Sequence, residues 1–296
     1  MKTDNSVIYS IRWDNLACDT YLYGSSIVFG SGGTVKFSNL IMPPGQVIRK
    51  WQSDVNYQVA KHEPQLPVLE EGEEYEIRSY VRYKPEGSVK LRFKFYDRQG
   101  EDAGKVIIDG ITDEFVCPDG ASSYELELIN AGAKELVFHH IEIQKKSGAE
   151  RNIRIIDRNS DSNLCILVLE PTGSSYILPQ ERILIRFRNR VILTCEGADA
   201  IELNSSGADE LLNEIDPRRI SVIGYGTRSN ESAAKLANHI GSQVKLYTYG
   251  NPQKKVAKGV ENFVYGNEKK GYSNTAPSLM DPLNDKSNRL FTIRFT

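Results

Sequence analysis

Tyr75-Glu76-Ile77-Arg78-Ser79-Tyr80-Val81-Arg82-Tyr83, then Lys84-Pro85-Glu86-Gly87, then Val89-Lys90-Leu91-Arg92-Phe93-Lys94-Phe95 decides the fold class of the first half. Apolar or aromatic residues alternate with charged ones, Ser79 apart. A period of two is the signature of strands with one wet face and one buried face. The Lys-Pro-Glu-Gly segment between them reads as a hairpin turn.

The same grammar extends both ways. Val7-Ile8-Tyr9-Ser10-Ile11-Arg12-Trp13 is rich in strand formers. Tyr124-Glu125-Leu126-Glu127-Leu128 and Leu136-Val137-Phe138-His139-His140-Ile141-Glu142-Ile143 follow, separated by Asn130-Ala131-Gly132-Ala133. No helical pattern stands out before about residue 146. Many short one-sided strands need two stacked sheets to bury their apolar faces, so an antiparallel sandwich is expected over residues 1–145.

Lys145-Lys146-Ser147-Gly148-Ala149-Glu150 is a polar linker, and the pattern changes after it. Leu164-Cys165-Ile166-Leu167-Val168-Leu169 is a continuous apolar run, as in a strand covered on both faces. Ile183 to Thr194 reads as a strand, or a hairpin turning near Asn189. Residues 208–215 read as a short helix stopped by Pro217, and Ile220–Ile223 as a strand. Ser229–Ile240 is a helix with Ala233, Leu236, Ala237 and Ile240 on one face and Gly241 at its stop; Gln243–Tyr249 is the next strand. Alternating strands and helices imply a small α/β layer with parallel strands over residues 151–265. Residues 266–296 form a polar tail, read as loop or partly disordered.

Composition fits this plan. The 296 residues suit about two domains, with 40% hydrophobic and 26% charged residues, which excludes collagen, coiled coil and bulk disorder. The longest apolar run is far short of the ~20 residues of a membrane span. The N-terminus has no apolar core for a cleaved signal, being interrupted by Lys2, Asp4, Asn5, Arg12 and Asp14. Net charge is −2, which gives no reason to expect nucleic acid. There are 16 basic and 22 acidic residues up to Lys145, and 21 and 17 after it, so a charge step coincides with the change of pattern. Cys18, Cys117, Cys165 and Cys195 are scattered, as expected of buried, reduced thiols in a cytosolic chain.

Three resemblances follow from longer strings. Tyr75–Tyr83, the Tyr96-Asp97-Arg98-Gln99-Gly100 turn and Phe138-His139-His140-Ile141-Glu142-Ile143 resemble carbohydrate-binding jelly rolls, a likeness of fold. Trp13-Asp14-Asn15-Leu16-Ala17-Cys18-Asp19-Thr20-Tyr21-Leu22-Tyr23-Gly24, with Met42-Pro43-Pro44-Gly45, Trp51, Asn56-Tyr57 and Leu128-Ile129-Asn130-Ala131-Gly132, resembles the third accessory secretory protein of the accessory Sec system of Gram-positive bacteria. That resemblance spans the first half. It implies a non-catalytic cytosolic component, working at the inner face of the cell membrane. Its implied partners are two other accessory secretory proteins, the accessory Sec motor ATPase and the serine-rich glycosylated adhesins that the system modifies and exports. The third resemblance joins Val222-Ile223-Gly224-Tyr225-Gly226-Thr227-Arg228-Ser229 and Val244-Lys245-Leu246-Tyr247-Thr248-Tyr249-Gly250-Asn251-Pro252, which is similar to the nucleophile elbow of class-three lipases.

The residues argue against a working elbow. The nucleophile position is Gly226, which has no side chain, and no histidine follows His239 to act as base. Ser229 and Ser232 read as helix-start residues. Gly224-x-Gly226-x-x-Ser229 partly mimics a dinucleotide fingerprint, but Leu246–Tyr249 stands where its acidic residue belongs. His139 and His140, as strand neighbours, are expected on opposite faces, and His62 stands alone, so no metal or other cofactor is expected.

Trp13, Asp14, Asn15, Tyr21, Tyr23, Trp51 and Tyr57 are the candidate partner- or glycan-binding residues, since aromatic platforms anchor proteins and sugars alike; packing in the sandwich core is the competing use. Arg186, Arg188 and Arg190 would share one face of an extended strand. With Arg182, Arg218 and Arg219 they offer a contact for anionic headgroups or an acidic partner. The reading is therefore β plus α/β: an antiparallel, jelly-roll-like sandwich and a degenerate α/β layer, serving as an accessory export subunit. Direct recognition of the adhesin glycan is the alternative, and a divergent hydrolase is disfavoured by the missing residues.

Overall fold

The computed structural model describes residues 7–14, 19–30, 33–55, 63–109, 112–149, 152–156, 163–179, 181–187, 189–203, 219–241 and 244–265. The helix expected over 208–215, His62 and the tail from 266 lie outside the described residues. The chain divides into two compact units. One is Tyr9–Lys146; the other runs from Ser147 onward and includes the residues up to Ile8.

The first unit holds β1 (Val7–Ile11) from Tyr9 on, β2 (Ser26–Phe29), β3 (Val35–Ser38), β4 (Val47–Gln52), β5 (Glu74–Tyr83), β6 (Val89–Tyr96), β7 (Asp102–Ile108), β8 (Thr112–Val116), β9 (Ser123–Asn130) and β10 (Glu135–Lys145). One sheet runs β1-β10-β3-β2, with β5 also on β10 and β8 on β5; the other runs β4-β9-β6-β7. The pairings among β2 to β10 are antiparallel.

The alternation that marks the strands also builds the core. On β6, Val89, Leu91, Phe93 and Phe95 are buried, while Lys90, Arg92, Lys94 and Tyr96 are half-buried on the other face. Phe93 stacks on Phe115 of β8 at 4.2 Å between centroids, and Trp51 of β4 stacks on Phe138 of β10 at 5.4 Å, each pair joining the two sheets.

Lys84-Pro85-Glu86-Gly87 does not close a hairpin. β5 pairs with β10 and β8, whereas β6 pairs with β9 and β7, so the segment arches from one sheet to the other. Two neighbouring one-sided strands bury both apolar faces better by facing each other than by lying side by side. The histidine expectation also fails. The register of β10 against β5 shifts between Phe138 and His140, and this bulge turns both rings the same way. His139 Nδ1 lies 2.8 Å from His140 Nδ1, both rings buried, and His140 Nε2 lies 3.3 Å from Glu142. Among the described residues no group of three or more His, Cys, Asp or Glu is placed to hold a metal ion.

The second unit begins within a one-turn helix, α1 (Lys146–Ala149). It holds β11 (Ile153–Arg154), β12 (Asn163–Leu169), the small hairpin β13 (Pro171–Thr172) and β14 (Ser175–Ile177), and α2 (Glu181–Leu184). Then come β15 (Asn189–Thr194), α3 (Cys195–Leu203), β16 (Arg219–Gly224), α4 (Thr227–Ile240), β17 (Val244–Tyr249) and β18 (Glu261–Tyr265). Its sheet runs β11-β15-β12-β16-β17-β18, parallel except for β11. Leu164–Leu169 is wholly buried, as its unbroken apolar run requires. Ala233, Leu236 and Ala237 of α4 face the sheet, and Gly241 stops the helix at φ 97 with its N–H on Ala237 O. Sequence order reverses between β12 and β16, which puts the crevice favoured for ligands in open α/β sheets beyond the carboxyl ends of these two strands.

Ile183–Thr194 is neither one strand nor a hairpin, because α2 and a turn precede β15. Arg186 therefore sits in the turn, half-buried. Arg190 is buried with its guanidinium donating to Leu184 O at 2.9 Å. Arg188 is outside the described residues. Arg186 and Arg190 thus do not share one face of an extended strand, since of these two only Arg190 lies on β15, which is buried on both sides. No helix among the described residues is long and apolar enough to cross a membrane.

Candidate partner interface

The two tryptophans expected at a binding surface are core residues. Trp13 and Trp51 are 1% and 0% exposed. Trp13 meets Phe138 edge-on at 5.8 Å, and Trp51 donates from its indole N–H to Arg12 O at 2.7 Å. Aromatics this large carry much apolar area into a sandwich core, and β4 buries Trp51 there. Asp14 is exposed, whereas Asn15 and Tyr57 lie outside the described residues. Tyr21 is half-buried against the core, with its N–H on Ile48 O at 2.9 Å. Of the candidate aromatics described, Tyr23 alone projects, 75% exposed.

Around Tyr23 the sandwich builds an apolar patch that the sequence did not reveal. Two loops meet there, residues 21–25 before β2 and 39–41 after β3. Asn39, 3% exposed, ties them: its amide donates to Tyr23 O at 2.8 Å and Ser25 Oγ at 2.9 Å, and its carbonyl accepts from Ile41 N at 3.0 Å. Ser25 Oγ donates to Tyr21 O at 2.8 Å. Gly24 takes φ +66, a left-handed conformation that favours glycine, and a Cβ there would sit 2.8 Å from Ile41 Cδ1, so the two loops lie close together. The frame holds Leu22, Tyr23, Leu40 and Ile41 in solvent at 55%, 75%, 79% and 64% exposure. Val28 and Phe29 on the adjoining β2 are 56% and 44% exposed. Apolar side chains fixed outward by a buried polar residue make this patch a candidate contact surface. The signal was present in Leu40-Ile41 before Met42-Pro43-Pro44, an apolar pair in a turn-rich segment.

The outer face of β4-β9-β6 is different. Glu125 accepts from Lys50 at 2.9 Å, Gln52 at 3.0 Å and Tyr96 at 3.2 Å; Glu127, buried, accepts from Arg92 at 2.6 Å and Lys94 at 2.8 Å. Burial pulls the Glu125 carboxyl upward, but its bonds from Lys50, Gln52 and Tyr96 outweigh that and hold it below its ordinary value. Burial and the Glu125 charge push the Tyr96 hydroxyl up to about 12.

In the second unit the elbow lies at the expected crevice, and the crevice is occupied from within. Glu170, directly after β12, accepts from Ser229 N at 2.7 Å and Arg228 N at 3.3 Å. A carboxylate thus sits at the amino end of α4, where an oxyanion or phosphate would bind. A Cβ on Gly226 would lie 2.5 Å from Glu170 Cδ, so glycine is required by the space this carboxylate fills. Ser229, wholly buried, uses its Oγ to accept from Tyr225 N at 3.1 Å and Gly226 N at 2.9 Å. It caps the start of α4. Ser232 is buried as well, and His239 is exposed on the last turn of α4. Sequence motifs drew attention to the elbow, but nothing local marked Glu170, 56 positions before Gly226, as its occupant.

Comparison with known proteins places these features. The family model described as "Accessory Sec secretory system ASP3" matches residues 20–145. The accessory Sec system ASP3 protein of Streptococcus gordonii is 35% identical over 126 residues, covering 43% of this chain and 79% of that protein. The chain belongs to the ASP3 family. The ASP3 protein of Staphylococcus aureus is 26% identical over 246 residues, 80% of this chain and 76% of its own, so that likeness continues beyond the sandwich. A chain of the Streptococcus agalactiae "Glycosylation Associate Protein (Gap123) complex" shares the fold, with a TM-score of 0.52 at 24% identity, over 82% of this chain and 78% of that one. The Asn39-tied loops fall within the ASP3 family match; the Glu170-filled crevice falls beyond it.

Proposed function

We propose that this ASP3-family chain is a non-catalytic subunit of the accessory secretory complex. It holds partner proteins together on the cytoplasmic side while serine-rich glycosylated adhesins are modified and exported. The observation that carries the reading is the patch of Leu22, Tyr23, Leu40 and Ile41, displayed in solvent by the buried Asn39. The proposed partners are the other accessory secretory proteins, with the motor ATPase and the adhesin as further members of the assembly. The filled crevice supports a holding role, because Glu170 and Gly226 leave the elbow neither nucleophile nor oxyanion site. The test is co-expression of the tagged chain with the accessory secretory proteins of its own bacterium. Stable co-purification is expected. Recovery of the chain alone, or ester hydrolysis by the purified chain that vanishes in Ser229→Ala, would reject the proposal.

A second reading, direct contact with the glycan, is favoured by the face around Glu125, Glu127 and Tyr96. Their fixed acceptors and donors, locally neutralised by Lys50, Arg92 and Lys94, suit a neutral hydroxyl-rich ligand. Preference for glycosylated over unglycosylated adhesin peptide, lost in Glu127→Gln, would establish it.

A further inference from the structure

Among the described residues β2 ends its sheet, and the register shows which groups its outer edge presents. Gly30 N donates to Thr34 O at 2.8 Å, so these two residues form a hydrogen-bonded pair. Such pairs alternate along an antiparallel ladder. Ser26–Ser38 and Val28–Lys36 therefore exchange bonds, while Ile27 and Phe29 turn their N–H and C=O groups outward. β3 agrees: Asn39 N bonds Lys134 O, which aims the main chain of Phe37 and Val35 at β10 and not at β2.

Natural sheets protect such edges with charge, proline, bulges or cover. β7 carries Asp102, Lys105 and a Gly104 at φ 145. β8 carries Asp113 and Glu114, the latter bridged to Lys146 at 2.6 Å. β4 is covered by residues 19–21, through Lys50 N to Asp19 O and Tyr21 N to Ile48 O. β2 reads Ser-Ile-Val-Phe, without charge or proline, and its register against β3 runs without a shift. It also adjoins the apolar loops of the candidate interface.

We propose that β2 accepts an extended strand of a protein partner, which continues the sheet by main-chain hydrogen bonds to Ile27 and Phe29. This rests on the assembly reading above and names how one partner docks. Ile27 and Phe29 point to the core side, opposite the buried Phe37 and Val35. The incoming strand therefore carries apolar residues at alternate positions, closing the mouth of the sandwich over the exposed Phe29 ring. A second copy of this chain is not the occupant. β2 has four residues, an edge of about 13 Å, and two such edges bury far less than the roughly 1,200–2,000 Å² of a stable interface. A longer strand from another protein can run on past Tyr23.

The test compares Phe29→Pro with Phe29→Ala in the full chain, co-expressed with the accessory secretory proteins. Proline at an outward-facing position removes one edge N–H and leaves the β2–β3 ladder intact. Phe29→Pro should lower partner recovery at least tenfold below Phe29→Ala, with unfolding midpoints of the two free variants within about 3 °C. Amide exchange on the wild-type chain gives a readout independent of both variants: Ile27 and Phe29 should gain at least tenfold protection in the complex. Equal recovery of the two variants, unchanged exchange at these amides, or a wild-type dimer broken by Phe29→Pro would each overturn strand addition. Wild type that recovers no partner at all would overturn the assembly reading with it.

Discussion

Glu170→Ala is the sharpest perturbation of the α/β unit. It removes the acceptor of Ser229 N at 2.7 Å and Arg228 N at 3.3 Å, and with it the negative charge at the start of α4. Loss of a side-chain cap costs about 0.5–2 kcal/mol, and loss of a charge from a helix amino end about 0.3–1 kcal/mol. The amide of Ser229, a residue 0% exposed, would lose its carboxylate acceptor, at about 1–3 kcal/mol. These effects overlap because they describe the same bonds, so the expected loss is about 2–3 kcal/mol for alanine and about 1 kcal/mol for Glu170→Gln, which keeps an acceptor. Thermal unfolding followed by circular dichroism should show the midpoint falling by about 6 °C and about 3 °C respectively. Gly226→Ala supplies the control, since its new methyl would collide with the carboxylate. It should be costly in the wild-type chain and nearly free in Glu170→Ala, a coupling of about 1 kcal/mol or more. Glu170→Ala within about 0.5 kcal/mol of wild type, or strictly additive costs, would refute the claim that Glu170 fills this crevice.

Trp51→Ala should destabilise the sandwich by about 3–5 kcal/mol in denaturant titration, as a core residue does, whereas Tyr23→Ser should change stability by no more than about 0.5 kcal/mol. The lowered Glu125 carboxyl contributes stability that is present above the ordinary carboxylate range and is lost as pH falls through its folded value. Glu125→Gln should therefore start less stable at pH 7 and lose less between about pH 5 and 3, read from acid titration of ellipticity. Burial, partly offset by the Tyr176 hydroxyl, pushes the Cys195 thiol up to about 11, and burial also raises Cys165. Mass mapping after iodoacetamide at neutral pH should find both unmodified in the native chain and modified in denaturant.

What the sequence disclosed was local. Period-two alternation marked β5, β6 and β9, and the unbroken apolar run marked β12, because each pattern follows from which faces of one strand are wet. Partnership between strands was hidden. Lys84-Pro85-Glu86-Gly87 suits an arch between sheets as well as a hairpin, and only the global demand to bury both apolar faces chooses. The bulge at His139 reversed a facing rule that holds for regular strands. α3 went unseen because Thr194 ends a strand and also caps the helix, its Oγ accepting from Gly197 N at 2.8 Å. At the site, Tyr23 was legible as an aromatic in an unusual string. Its companions Leu40 and Ile41 showed only as an apolar pair in a turn-rich segment, since what exposes them is the buried amide of Asn39, a bond across 16 residues. Trp13 and Trp51 misled for the converse reason: aromatic character marks cores and interfaces alike.

The central claim is that this chain works by holding partners on the sandwich surface around Tyr23. Titration calorimetry of the purified chain into the purified accessory secretory proteins, wild type against Tyr23→Ser/Ile41→Ser, tests it most directly. The expected result is saturable binding by wild type, and at least about 30-fold weaker binding by the double variant, the roughly 2 kcal/mol of a lost hot spot, with the variant still folded. Equal affinity of the two proteins would contradict it.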